Sequence, residues 1–116
     1  MKTLIVDDEP LARRGLRDLL AGHPALSVVG EAADVDSALD LTRQLSPEVV
    51  FLDVQLRGET GFDYLERLDG PRPRVVFVTA HDSHAVRGFE CNASDYLLKP
   101  VRPERFTLGC DQPFRN

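Results

Sequence analysis

Side chains with useful chemistry stand at the carboxyl ends of four short apolar runs. They are three carboxylates, one hydroxyl and one ammonium, at Asp7, Asp8, Asp53, Thr79 and Lys99. Each run is short and continuously apolar, which is typical of a strand buried in a parallel sheet. Ligands of open α/β sheets bind beyond the carboxyl ends of the strands. The pattern therefore predicts that these side chains converge at one sheet edge, in a site for a hard divalent cation and a phosphoryl group.

The three carboxylates are the expected ligands of the cation. Mg²⁺ prefers octahedral oxygen coordination and usually keeps several waters. Asp8 and Asp53 can each supply one oxygen. The backbone carbonyl of Gln55 can supply a third, and Asp7 can act through water. An acidic pair at a helix N-terminus, which complements the helix dipole, is the ordinary explanation of Asp7 and Asp8 alone, but it leaves the polar ends of the other runs unexplained.

Asp53 is the candidate nucleophile of this site. A carboxylate can attack phosphorus and form an aspartyl phosphate. The metal and Lys99 would neutralise charge on the transferring phosphoryl oxygens, and Thr79 could donate a hydrogen bond to one of them. Taken singly, Thr79 is an ordinary β-branched strand residue and Lys99 a solvated lysine at a turn before Pro100. The sequence has no glycine-rich phosphate loop and no nucleophile elbow that would offer a competing site.

Strand-like and helix-like segments alternate along the chain. Strands are predicted at about residues 3–6, 26–29, 48–52, 74–79 and 95–98. Helices are predicted at about residues 11–20, from a cap at Asp34 or Asp36 to Pro47, around 62–68, and at about 83–90. A fifth helix should follow residues 102–106, but Gly109, Asp111 and Pro113 cut it short. The alternation predicts an α/β fold, with a doubly wound, five-stranded parallel sheet and helices on both faces.

Composition limits the possible partners and location. A chain of 116 residues suits one domain. Its net charge of −5 argues against DNA binding by this domain itself, because nonspecific DNA affinity depends on Lys and Arg. No apolar run approaches the roughly 20 residues that span a bilayer, and no signal-like segment precedes the first strand. We therefore expect a cytoplasmic protein that does not contact the membrane, with Cys91 and Cys110 as free thiols.

Four segments in this order resemble the receiver domain of two-component response regulators over about residues 2–106. They are LIVDDEPLAR, VVFLDVQLRGETGF, VFVTAHDSHAVRGFE and ASDYLLKPV. The sequence around DDEPLARR and DYLLKP is most similar to that of the subgroup with a LytTR-type (LytR/AlgR-like) output domain. The resemblance implies a receiver domain over residues 1–106 with a flavodoxin-like (βα)5 fold. An atypical tail with a shortened or irregular last helix would occupy residues 107–116, with no output domain present.

The resemblance also implies a role for each site residue. Asp53 matches the phosphoacceptor, and Asp7 and Asp8 match the acidic pair that holds Mg²⁺. The backbone carbonyl of Gln55 matches the third metal ligand, and Lys99 matches the ammonium that pairs with phosphate. Thr79 matches the hydroxyl that moves onto the phosphoryl group, and Tyr96 matches the aromatic whose rotamer follows the switch. An aromatic that never moves is the alternative for Tyr96.

The implied function is a phosphorylation switch rather than an enzyme, because the domain would catalyse only its own phosphotransfer and dephosphorylation. A sensor histidine kinase would supply the phosphoryl group. The face formed by the fourth helix, fifth strand and fifth helix would then control an output, with a possible phosphorylation-dependent homodimer. Transcription through a separate DNA-binding domain is the expected output.

Two alternatives stay open at this point. The complete set of acids, Thr and Lys argues against a pseudo-receiver that binds partners without switching. Leu56-Arg57, which replaces the usual Met-Pro, and the shortened last helix keep this alternative open. A Mg²⁺-dependent phosphatase similar to the haloacid dehalogenases also uses an Asp nucleophile. Such enzymes carry Asp-x-Asp after the first strand, whereas this chain has Asp7-Asp8 there and its candidate nucleophile after the third.

Overall fold

The computed structural model describes residues 1–79 and 95–98. In chain order its elements are β1 (Lys2–Val6), α1 (Pro10–Leu20), β2 (Ser27–Ala32), α2 (Val35–Leu45), β3 (Val49–Asp53), β4 (Gln55–Leu56), β5 (Glu59–Thr60), α3 (Gly61–Arg67), β6 (Arg74–Thr79) and β7 (Asp95–Leu98). The five long strands form one sheet in the order β2-β1-β3-β6-β7, and every neighbouring pair is parallel. The predicted doubly wound five-stranded sheet is confirmed.

Alternation along the central strands builds a core on both faces of the sheet. Leu4 of β1 and Val50 of β3 belong to a cluster that includes residues of α2 and α3. Ile5 and Phe51, the next residues along, belong to a second cluster with residues of α1. Because both faces are covered, all five residues of β3 are buried, and this explains why its sequence is apolar up to the final Asp53.

The helices begin and end at local signals. Pro10 occupies the first turn of α1, where its missing N–H costs no hydrogen bond. The carboxylate of Asp34 accepts a 2.8 Å hydrogen bond from the Ser37 N–H and caps α2, so Asp34 rather than Asp36 is the cap. This backbone hydrogen bond, followed by one from the Ser37 side chain, lowers the pKa of Asp34.

Two segments differ from the sequence prediction. The second strand covers Ser27–Ala32 instead of about 26–29, because Glu31 and Ala32 pair with Ile5 and Val6 of β1. The predicted loop after β3 contains the antiparallel pair β4–β5, which reverses at Gly58 with φ +73°. Gly58 tolerates this left-handed conformation because it has no Cβ.

Helix α1 exposes one apolar residue, and some of the predicted helices lie outside the described residues. Leu11 shares the helical period of the α1 core residues, yet it is 80% exposed. The predicted helix at 83–90, the last helix and the 107–116 tail lie outside the described residues. Within the part of the chain that is described, every helix is too short or too polar to cross a bilayer.

Candidate functional site

Three carboxylates meet where β1 and β3 end side by side. Val6 pairs with Leu52, so Asp7 and Asp53, which follow these residues, reach the same sheet edge. One carboxylate oxygen from each of Asp7, Asp8 and Asp53 lies within 4.8 Å of the other two. The convergence follows from the parallel register of two adjacent strands that both end in acid.

The burial and chemistry of this cluster fit a hard divalent cation. Asp7 and Asp53 are buried, whereas Asp8 is partly exposed. Three negative charges at this spacing repel one another in a partly dehydrated site. Clustered carboxylate oxygens are the ligands that Mg²⁺ takes in proteins, and the exposed edge at Asp8 leaves room for the waters that it retains.

Backbone N–H groups fix the orientation of two of the carboxylates. Oδ1 of Asp53 accepts a 3.2 Å hydrogen bond from the N–H of Gln55, and Oδ1 of Asp7 accepts one of 2.9 Å from the N–H of Glu9. Asp7 is also held through its main chain, because its N–H donates to the carbonyl oxygen of Ala32 at 3.0 Å. Both acids are therefore oriented by the turns that follow their own strands.

The turn behind Asp53 depends on residues whose importance the sequence analysis missed. Thr60 and Asp63 form a reciprocal capping box at the start of α3. The N–H of Gly61 donates to the carbonyl oxygen of Val54 at 2.7 Å, which draws α3 against the end of β3. The available signal was Thr-Gly-Phe-Asp, a capping threonine with an acid three residues later.

The remaining predicted residues are described in part. Thr79 ends β6 at the same edge, since its neighbour Val78 pairs with Asp53. Thr79 itself pairs with Leu98 of β7, and the backbone of Tyr96 pairs with Phe77. Lys99 lies outside the described residues. The metal role of the Gln55 carbonyl stays a prediction, although its N–H contact places Gln55 beside Asp53.

Two basic residues, Arg13 and Arg57, act on acidic residues, one through a hydrogen bond to the main chain and one through its charge. The guanidinium of Arg13 donates to the carbonyl oxygen of Asp7 at 2.6 Å. Arg57 lies in the turn between β4 and β5. The pKa of Asp34 is lowered mainly by the hydrogen bonds from Ser37 and, to a smaller extent, by the positive charge of Arg57.

Known proteins resemble this chain in sequence and in fold. Transcriptional regulatory protein BtsR of Salmonella typhi is 46% identical over 106 residues, which cover 90% of this chain and 44% of the relative. Sensory transduction protein LytT of Enterococcus faecalis is 44% identical over 109 residues, which cover 92% of this chain and 45% of the relative. The chain thus spans less than half the length of these two relatives.

The fold comparison agrees with these relatives. The response regulatory domain of protein mrkE from Klebsiella pneumoniae superimposes with a TM-score of 0.87 at 32% identity, covering 97% of this chain and 93% of that chain. The family model of the response regulator receiver domain matches residues 3–108. LytT-type and LytR-type relatives agree with the predicted LytTR-type subgroup. The chain belongs to the response regulator receiver domain family.

Proposed function

We propose that Asp53 accepts a phosphoryl group from the phosphohistidine of a sensor histidine kinase, in a Mg²⁺-dependent reaction. The observation that carries this proposal is the cluster of three carboxylates within 4.8 Å, with Asp53 at the end of a buried central strand. Membership of the receiver family supports the same assignment.

The transfer requires a nucleophile that is held still and a way to stabilise charge. A carboxylate oxygen of Asp53 attacks phosphorus, the new O–P bond forms, and the P–N bond to the donor imidazole breaks with its electron pair remaining on nitrogen. The N–H of Gln55 holds the Asp53 carboxylate during this displacement. Asp7, Asp8 and Asp53 would hold Mg²⁺, with the Gln55 carbonyl as a proposed further ligand. When bound, the cation neutralises charge on the phosphoryl oxygens.

Phosphorylation would then switch the domain through Thr79, Lys99 and Tyr96. Shifting a two-state equilibrium from 1:99 to 99:1 needs roughly 5.5 kcal/mol. A hydrogen bond to a charged group contributes about 1.5–3 kcal/mol. One bond from Thr79 is therefore insufficient, and pairing of Lys99 with the phosphoryl group must contribute.

The surface proposed to switch is the face expected from the predicted fourth helix, the fifth strand of the sheet (β7) and the predicted fifth helix. Its proposed outcomes are a phosphorylation-dependent homodimer and control of transcription through a DNA-binding output. The net charge of −5 supports assigning DNA contact to that output rather than to this domain.

The deciding experiment is intact mass measurement after incubation with Mg²⁺ and acetyl phosphate. We expect one phosphoryl adduct on the wild type and none on Asp53→Asn, which keeps the size of the side chain but removes the nucleophile. A folded, Mg²⁺-binding wild type without an adduct would support the pseudo-receiver alternative. Steady turnover of small phosphate esters would instead support the phosphatase alternative.

A further inference from the structure

The main chain of Asp7 is held on both sides by residues outside the acidic cluster. Its N–H donates to the carbonyl oxygen of Ala32 at 3.0 Å, and its carbonyl oxygen accepts from Nη1 of Arg13 at 2.6 Å. That carbonyl belongs to the peptide unit that joins Asp7 to Asp8. Because a peptide unit is planar, a hydrogen bond to its oxygen also fixes the position of the Asp8 Cα, from which the Asp8 side chain projects.

Arg13 is itself anchored by an ion pair. Its Nε lies 3.4 Å from Oε1 of Glu31, and its side chain is only 20% exposed. The other oxygen of Glu31 accepts from Nε of Arg17 at 2.7 Å. Glu31 directly precedes Ala32 in β2, so the contacts form a closed ring that joins α1, β2 and the turn after β1.

The charge of Arg13 acts against cation binding, whereas its geometry favours it. A guanidinium at the main chain of Asp7 repels a divalent cation bound by the neighbouring carboxylates, by ordinary Coulomb interaction. The same group holds the peptide from which Asp8 projects. These two effects have opposite signs, so the response of Mg²⁺ affinity to removal of Arg13 distinguishes them.

We propose that Arg13, anchored by Glu31, is a positioning residue for the metal-binding carboxylates. It fixes the Asp7–Asp8 peptide and so orders the partly exposed Asp8 before the cation arrives. This inference rests on the proposed function. Residues that orient metal ligands without touching the metal typically change affinity by about 10–100-fold when they are removed.

Mg²⁺ titration of the full chain by calorimetry tests the proposal with a matched pair of variants. Arg13→Gln and Arg17→Gln each remove one positive charge and one contact to Glu31, but only Arg13 reaches the Asp7 carbonyl. We expect Mg²⁺ affinity to fall about tenfold in Arg13→Gln and to stay within about twofold in Arg17→Gln. Unchanged or tighter binding by Arg13→Gln would overturn the proposal, since charge alone would then explain its effect.

Arg13→Lys provides a second test in which the charge is constant. Lysine replaces the planar fork with one nitrogen on a flexible stem, which cannot reproduce two contacts made from separate nitrogens, Nε and Nη1. We expect Mg²⁺ affinity between those of the wild type and Arg13→Gln, and wild-type affinity would contradict the proposal. This variant decides the matter if Arg13→Gln does not fold, which a far-UV spectrum establishes.

Adduct formation from acetyl phosphate adds a readout that a general loss of structure would not reproduce. For Arg13→Gln we expect slow adduct formation at low Mg²⁺ and a wild-type rate at saturating Mg²⁺. Persistent slowness at saturation would overturn a role in metal positioning. A wild type that takes up no Mg²⁺ would instead overturn the proposed function, and with it this inference.

Discussion

Gly61 and Asp53 approach so closely that no other residue fits at position 61 without a shift. A Cβ placed on Gly61 would lie 2.6 Å from the carbonyl oxygen of Asp53, 2.9 Å from Cγ of Leu52 and 3.0 Å from the ring of Phe77. The backbone of the candidate phosphoacceptor is therefore packed directly against the first residue of α3.

Gly61→Ala should destabilise the protein and slow phosphorylation of Asp53. Overpacking of this kind costs about 1–3 kcal/mol, because backbone must move to relieve it. Urea denaturation measures the free energy of unfolding, and intact mass follows the adduct. Gly15→Ala is the control, since nothing lies within 4 Å of its Cβ in α1, and it should stabilise by about 0.5–1 kcal/mol. Equal stability of Gly61→Ala and the wild type would contradict the close contact.

Asp8→Asn should separate the metal requirement from the stability of the apo protein. Without Mg²⁺, removing one of three neighbouring charges should raise the free energy of unfolding by about 1 kcal/mol. With Mg²⁺ at 100 times its Kd, the wild type should gain about 2.7 kcal/mol and the variant should gain little. Thermal unfolding with and without Mg²⁺ checks both effects, and equal stabilisation of the two proteins would rule Asp8 out as a ligand.

The hydroxyl pair of the half-buried Thr42 and the buried Tyr64 should connect α2 to α3. Their oxygens lie 2.7 Å apart, and Thr42 Oγ1 also donates to the carbonyl oxygen of Ala38, so Tyr64 donates to Thr42. Tyr64→Phe should cost about 0.5–1.5 kcal/mol. Thr42→Val should cost about 1–3 kcal/mol, because it leaves the fully buried Tyr64 hydroxyl without its partner. In urea denaturation, the double variant should lose less free energy of unfolding than the two single variants lose in sum. Strict additivity of the two losses would contradict the coupling.

Tyr64 should also make stability fall at alkaline pH. Burial raises the pKa of Tyr64 above its ordinary value of 10.0, because the phenolate is disfavoured inside the protein. The folded state then holds this proton more tightly than the unfolded chain. The contribution of protonated Tyr64 to the free energy of unfolding is fully present below pH 10.0. It is lost as the pH rises through the raised pKa, with a slope of at most about 1.4 kcal/mol per pH unit. From pH 8 upward, the free energy of unfolding measured by denaturation should fall less steeply with pH in Tyr64→Phe than in the wild type. Identical pH dependence of the two proteins would contradict this.

Asp34→Ala and Asp36→Ala should differ although the two acids stand two positions apart. Asp34 caps α2, and loss of such a cap costs about 1 kcal/mol. Asp36 pairs with Arg67 at 2.7 Å on the surface, where an ion pair contributes at most about 1 kcal/mol and often much less. The pKa of Asp34 is lowered by its hydrogen bonds to Ser37, so its contribution is present above the ordinary value of 3.8 and is lost as the pH falls through the lowered pKa. Urea denaturation at neutral and acid pH compares the two variants, and a larger loss for Asp36→Ala would contradict the cap.

The amino-acid sequence by itself determined the central strands and the convergence of the acids. The runs that became β1, β3 and β6 are continuously apolar because a central parallel strand is buried on both faces. Polar residues follow directly where β1 and β3 reach the sheet edge. Parallel pairing of these neighbours then brings Asp7 and Asp53 together, so local pattern and one topological rule suffice.

Only the tertiary structure decided how those acids are held. The extension of β2 through Glu31, the exposure of Leu11 and the close approach of Gly61 to Asp53 are all set by packing between distant segments. No local signal marks them, because hydrophobic period and capping preference describe a segment rather than its neighbour. Arg13 looks like a solvated helix residue in the sequence, and its contact with the Asp7 carbonyl exists because α1 folds back over β1 beside Glu31.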